Sequence, residues 1–482
     1  KKAAAYIKKR MKTLGLKEAN GNSYFHPFTF SPPVKLIEGR NALKVDGKEL
    51  ELDQDFYPVA LSGNAAVNGE LYSVGYGIEA PELSHQDLKG KDLQQKIILV
   101  NLGSPDGIHP HSKFKAYHDW RKRIDEILIK KPAAIICYNM ADDLSVKGLR
   151  AFTKLLASEC PIIGVYNKEK AEAWAVKTTT VSLEVGLKRE KIEGTNVMGL
   201  LDNGADRTVV IGAHYDHLGY GEYGNSRYMG PPLIHNGADD NASGVALMLG
   251  LAEQLTTSSK NKNYNYLFLA FSAEELGLLG SNAFVNSDLL DVYDPIYMLN
   301  FDMVGRFNAQ NELGIFGNGT AQEWGSVLNS LDSSGLKISR NPSGMGSSDH
   351  TSFYLQEIPC LHLFSGTHED YHKPTDDADK INFKGMNRIF EYAVDLCVKL
   401  ESQPTITYRK TKSGKSRKAS SFKVTLGIIP DYFGDTKGLK IDGVSEGKPA
   451  QKAGLEKGDI IIKLGDTAVS DMMTYMSALG VF

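Results

Sequence analysis

The stretch "NGADDNASG", residues 236–244, sets Asp239 beside Asp240 among small and polar residues, with no Lys or Arg close by. Adjacent carboxylates repel, so the pair requires positive charge from elsewhere. Further acids and imidazoles follow apolar runs: His214 and Asp216 after "TVVIGA", Glu274 and Glu275 after "NYLFLAFSA", Asp302 after "IYMLNF", and His372 after "LHLFSGTHEDY". Taken singly, each has an ordinary explanation. Asp239 and Asp240 can cap the helical run that follows, Glu274 and Glu275 can favour a helix N-terminus, Asp302 can sit in a turn, and a lone histidine is usually satisfied by its neighbours. Taken jointly, they would all have to collect at one edge of one sheet by chance, and that many acids with two histidines need a cation. Carboxylates with imidazoles suit zinc ahead of manganese or cobalt, whereas calcium wants more oxygen ligands and no histidine. The candidates outnumber the three protein groups of an open single zinc. They fit two metals roughly 3.5–4 Å apart that share one carboxylate, so one of the two aspartates can bridge.

Elements must bring these residues together. From about 173 to 402, apolar strand-like runs alternate with helical stretches such as "GVALMLGLAEQL" and "NRIFEYAVDLCVKL", which predicts an α/β fold with a mostly parallel sheet flanked by helices. In such a sheet, ligands gather beyond the carboxyl ends of the strands, where every candidate above falls. Residues 1–16 predict a surface helix with Ala5, Ile7, Met11 and Leu14 on its apolar side and Gly15 at its stop. From 53 to 172 the texture is of short runs such as "KIILVNLG" and "AAIICYNM" around one helix-length stretch, "HSKFKAYHDWRKRIDEILIKK", which reads as a separate small domain. Residues 403–420 carry a basic run, "YRKTKSGKSRKASS", and read as a solvated linker, since a nucleic-acid patch would want aromatic partners that are lacking. A last β-rich segment spans 421–482 and stops inside an apolar pattern, as a domain cut short would.

In order along the chain, "GAHYDHLG", "GADDNASG", "AEELGLLGS", "NFDMVG", "GSSDHTSF" and "YHKPTDD" resemble the motif series of the M28 family of zinc aminopeptidases. The resemblance covers residues 1 to about 402 and implies a zinc exopeptidase fold over 1–52 and 173–402, interrupted by a PA domain at 53–172. It also implies two zinc ions per chain. His214 and Asp302 would hold one, Glu275 and His372 the other, and Asp240 would bridge, so that Asp239 is not a ligand. Asp216 is similar to the acid that fixes the histidine ring, and Glu274 to the general base of a bridging-hydroxide mechanism. The peptide bond from Asp240 to Asn241 is often cis in this family. Where some members place an oxyanion-binding tyrosine before "SDH", this chain has Gly344, Met345 and Gly346, and Tyr371 resembles the alternative donor. The segment "GVSEGKPAQKAGLEKGDIIIKLGD" resembles PDZ domains of exported bacterial proteases, with "VTLGIIPD" as the loop and edge that capture a peptide C-terminus.

The expected activity is therefore removal of N-terminal residues from peptide substrates. The same fold also hosts dipeptidases and carboxypeptidases, which peptides blocked at the N-terminus would reveal. It hosts glutaminyl cyclisation as well, an activity that needs one metal. From another class, an inactive PA/PDZ binding protein would be expected to have lost ligands that are all present here. The 482 residues predict two to four domains of roughly 100–200 residues. A formal net charge of −3 gives no bulk pull toward nucleic acid, and no run approaches the roughly 20 apolar residues of a membrane span. Cys137, Cys160, Cys360 and Cys397 fall singly among apolar neighbours and read as buried free thiols. The PA and PDZ-like combination resembles secreted or periplasmic peptidases, and the first residue is Lys1 rather than Met, so an export signal is expected to have been lost. Side-chain preference is expected to lie on loops such as residues 219–232.

Overall fold

A computed structural model describes residues 1–30, 34–109, 111–140, 158–221, 226–259, 262–307, 312–331, 335–403, 405–411, 426–430, 438–444, 448–469 and 472–479. The chain divides into two compact units, Lys1–Phe30 with Ile192–Phe482, and Ser31–Lys191.

The first unit is built on a nine-stranded mixed sheet. Its centre is four parallel strands in the order Asn265–Phe271, Thr208–His214, Pro295–Phe301 and Cys360–Phe364. Ile192–Leu201 pairs antiparallel on one side and Glu312–Phe316 antiparallel on the other. The centre is buried on both faces, which is why its strands read as continuous apolar runs. Every residue of Thr208–His214 is buried. Alternate residues feed two separate cores. Val209, Ile211, Tyr266, Phe268, Leu299 and Leu361 pack with the helices Lys2–Thr13, Gly244–Thr257 and Phe383–Glu401, whereas Val210, Leu267, Leu269 and Met298 pack with Phe284 and Phe353. The N-terminal helix buries Ala4, Ile7 and Met11, with Ala4 in the place expected of Ala5.

The second unit carries an eight-stranded sheet whose parallel centre is Ala65–Ser73, Ile97–Asn101, Ala134–Tyr138 and Ile162–Val165. The expected helix is present as Trp120–Ile129, started by Asp119, whose carboxylate accepts the N–H groups of Arg121 and Lys122. The unit is wider than the anticipated 53–172. Ala42–Val45 pairs with both Lys48–Leu50 and Thr180–Val185, and the latter pairs with Ala65–Ser73, so these short flanking strands belong to the same sheet.

Part of the expected 403–420 linker is held by backbone bonds. The Arg409 N–H donates to Thr320 O at 2.7 Å and the Thr407 N–H to Glu323 at 2.8 Å, so residues 405–411 lie against the first unit; residues 412–420 lie outside the described residues. In the C-terminal segment, Ile428–Pro430, Leu439–Val444 and Ile460–Ile461 form a small antiparallel sheet, and Leu439, Val469, Tyr475, Ala478 and Leu479 make its core. The ends of "VTLGIIPD", Val424, Thr425 and Asp431, fall outside the described residues. Cys137, Cys360 and Cys397 are buried free thiols and Cys160 is a partly buried one. Among the described residues no helix is long and apolar enough to cross a membrane.

Candidate metal centre

The four parallel strands end level with one another, and their carboxyl ends carry the charge. His214 is the last residue of its strand and is 1% exposed. Its Nε2 lies 3.3 Å from Asp240 Oδ1 and 3.4 Å from Asp302 Oδ1, with Glu274 Oε2 at 4.0 Å. Across Asp240, His372 Nε2 lies 3.3 Å from Asp240 Oδ2 and 3.3 Å from Glu275 Oε2. Asp240 thus turns one oxygen to each histidine, and two donor sets, His214/Asp302 and Glu275/His372, meet at one buried carboxylate.

The loop that presents Asp240 is held by its own polar residues. The backbone N–H groups of Asp239 and Asp240 both donate to Asp376 Oδ2, at 3.0 and 3.1 Å. Asn241 bridges to the neighbouring strand end, donating to Phe301 O at 2.9 Å and accepting from the N–H of Gly244. Asp239 serves the loop, accepting the Gly305 N–H at 2.6 Å and facing His368 Nε2 at 3.1 Å. Each acid of the pair therefore has its own partners, and only Asp240 faces the two histidines. The Asp240–Asn241 peptide bond is cis. Gly237 opens the loop at φ 63°, where a Cβ would stand 2.3 Å from Asp240 O, so both its conformation and the close approach demand glycine.

Burial and pairing both show in the proton affinities: against burial, the facing histidines hold Asp240 and Glu275 below the usual carboxylate range. Burial, followed by the carboxylates of Asp349, Glu275 and Asp302, pushes Glu274 well above the usual range, with His214 opposing. Burial alone would lower the His214 ring, but Asp302, Glu274 and Asp240 outweigh it and raise it strongly. His372 is likewise opposed by burial and raised to about 10 by Glu275 and Asp240. Burial carries Asp349 up to about 7 and Asp216 to about 6.

The Asp216 side chain departs from its expected place. His214 Nδ1 lies 3.2 Å from the backbone carbonyl of Asp216, and 3.8 Å from its carboxylate. The carboxylate instead accepts the N–H groups of Glu274 and Glu275, at 3.0 and 3.3 Å, and so organises the turn that carries both glutamates. Tyr371 stacks on the His372 ring with centroids 3.9 Å apart, and its backbone carbonyl accepts from Arg227. Sequence reasoning passed over three supports. Ser348 donates to Asp302 Oδ2 at 2.8 Å and is itself met by Asn300 Nδ2 at 2.7 Å. Asp376, within "YHKPTDD", carries the Asp240 loop. His217, within "GAHYDHLG", reaches Glu275 Oε1 at 2.7 Å. Their motifs were visible, but a hydrogen bond between distant segments leaves no spacing to read.

Residues 196–397 match the family model for Peptidase family M28, and this span contains every residue placed at the centre above. Residues 196–397 are a Peptidase family M28 domain. Residues 413–479, beyond the M28 domain, match the PDZ domain model. The chain is similar to Aminopeptidase YwaD of Bacillus subtilis (strain 168), at 24% identity over 77% of this chain and 77% of that one. It is also similar to Leucine aminopeptidase 2 of Trichophyton rubrum, at 30% identity over 36% of this chain and 37% of that one. Thus little more than a third of the fungal relative is spanned. Among solved structures, the aminopeptidase from Aneurinibacillus sp. strain AM-1 aligns at 24% identity and TM-score 0.48, covering 85% of this chain and 89% of that one. A zinc aminopeptidase from Bacillus subtilis aligns at 21% identity and TM-score 0.43, covering 86% and 90%.

Proposed function

We propose that the M28 domain is a zinc-dependent aminopeptidase that releases the N-terminal residue of peptides with a pair of zinc ions. One observation carries the reading: the two oxygens of buried Asp240 face two different histidines, each accompanied by another carboxylate. Donors bound to zinc at about 2.0–2.1 Å stand roughly 3.3–3.4 Å apart around a tetrahedral ion. The four histidine-to-carboxylate separations of 3.3, 3.4, 3.3 and 3.3 Å fit that spacing, and imidazole with carboxylate is a donor set zinc accepts. His214 and Asp302 would hold one ion, Glu275 and His372 the other, with Asp240 shared. When bound, the pair supplies Lewis acidity, polarising a peptide carbonyl and making water a stronger acid.

The chain's own groups supply the rest. Glu274, 4.0 Å from His214 Nε2 at the edge of the donor set, takes the proton from the attacking water and passes it to the leaving amine. Its buried, acid-rich surroundings raise its affinity for that proton. Asp216 fixes the backbone that carries Glu274. Tyr371, held against the His372 ring, is the candidate donor to the developing oxyanion. The aminopeptidase names of the relatives support the polarity. The inserted unit is read as the PA-type insertion, the PDZ domain as a binder of peptide C-termini, and the chain as acting outside the cytoplasm.

The test is release of free amino acids from short peptides with free and with acetylated N-termini. Free peptides should be shortened from the N-terminus and acetylated ones left intact. Cleavage of acetylated peptides from the other end would establish a carboxypeptidase instead.

A further inference from the structure

We propose that His217 is a positioning residue for the Glu275/His372 half of the centre, holding Glu275 so that one carboxylate oxygen is committed to the ion. The inference rests on the two-metal reading. Its basis is a difference in distance. Each of His214 and His372 stands 3.3–3.4 Å from its carboxylate partners, the spacing of neighbouring ligands around one ion. His217 Nδ1 stands 2.7 Å from Glu275 Oε1 and 3.9 Å from Asp240 Oδ2. The first is a direct charge-assisted hydrogen bond, shorter than the separation of two ligands of one tetrahedral ion, although Nδ1 also lies within 4.8 Å of ligand atoms of both Asp240 and Glu275.

Glu275 is therefore divided. Oε1 takes the His217 hydrogen bond, and Oε2 faces His372 Nε2. A carboxylate only accepts, so Nδ1 of His217 carries the proton. A ligating carboxylate whose second oxygen is left unanchored can rotate about its last torsion; the imidazole removes that freedom. The ring is itself confined. Its side chain is 8% exposed, and the ring of His372 stands 5.9 Å away at 70°. The glycine at 237 also leaves it room, because a Cβ there would come within 2.7 Å of His217 Cγ and Cδ2. Among the described residues its Nε2 is buried without a hydrogen-bond partner, and the Nδ1 bond to Glu275 holds the ring. Groups that orient metal ligands in this way typically affect metal affinity by about 10- to 100-fold.

The experiment is zinc titration of the full chain under a competing chelator, with affinities read for each equivalent. Wild type is expected to bind two. His217→Ala should weaken one of them by about 10- to 100-fold and the other by much less. His217→Asn, whose amide N–H can lie where Nδ1 lies, should recover most of the loss, whereas His217→Gln, whose amide lies nearer the Nε2 position, should not. Unchanged zinc affinities in His217→Ala overturn the proposal, and so does Gln restoring affinity as well as Asn. A loss well beyond a thousandfold with no rescue by Asn also overturns it, since His217 would then bind the ion itself. Should His217→Ala fail to fold, the Asn and Gln comparison decides alone. If wild type binds fewer than two equivalents, the two-metal reading fails and this inference with it, a result distinguishable because no variant is involved.

Discussion

Both units place polar loops beyond the ends of parallel strands, and they treat acids there in opposite ways. In the inserted unit, Asp87 Oδ2 accepts the N–H groups of Tyr76 and Ile78 and pairs with His85 at 2.9 Å. Asp106 accepts the hydroxyls of Ser112 and Ser104 and the N–H of Lys113, and the Ser112 contact leads in holding it at about 2. The buried Arg123 guanidinium donates to the carbonyls of Gly103 and Tyr76. There donors within the unit hold both acids. At the M28 edge, Asp240, Glu274, Glu275, Asp302 and Asp349 crowd around His214, His217 and His372, and Glu274 and Asp349 bind protons more tightly than free carboxylates do. An acid with its full set of donors is architecture. Acids buried together around shared histidines are a donor set for a cation.

The contrast can be broken at several points. The largest effect is expected for Asp240→Ala, which should release both zinc equivalents and bring peptide hydrolysis to background; elemental analysis beside an activity assay reads both. Next is Glu274→Gln, which should keep two zinc ions yet lower kcat by about 10²- to 10⁴-fold. Turnover near wild type would remove Glu274 from the role of base. Ser348→Ala frees one oxygen of Asp302 and should weaken zinc in the His214 half by about 10- to 100-fold, seen in the same chelator competition. The smallest effect belongs to the inserted unit. Asp106 is depressed on folding, so its stabilisation is complete above the ordinary carboxylate value near about 4 and lost as pH falls through about 2. Asp106→Asn should accordingly lower the melting temperature at pH 7 modestly, with the deficit closing near pH 2, and chelators should not change it. A chelator-sensitive deficit would erase the distinction between the two edges.

Much of this arrangement could be read before any coordinates. The strands Thr208–His214 and Pro295–Phe301 are covered on both faces, so their apolar runs are unbroken and their first polar residues mark the sheet edge. The inserted unit was harder to bound, because Ala42–Val45 and Lys48–Leu50 are short strands that only their pairing with distant segments reveals. Residues 405–411 read as solvated linker from their charge, yet backbone bonds to Thr320 and Glu323 tie them down. At the centre, the types of the facing groups were legible, whereas Ser348 under Asp302, Asp376 under the Asp240 loop and His217 on Glu275 depend on contacts between segments far apart in sequence. Asp216 shows the same limit at short range. Its place next to the strand was readable, but which of its oxygens meets His214 was not.

The carboxylate of Asp240, with one oxygen turned each way, ties the fates of the two halves together. An ion entering either side fixes a torsion that the other side also needs, so the second arrival meets a site already set. By thermodynamic reciprocity the help runs equally in both directions. A chain stripped of one ion should then surrender the other more readily than its separate contacts would imply.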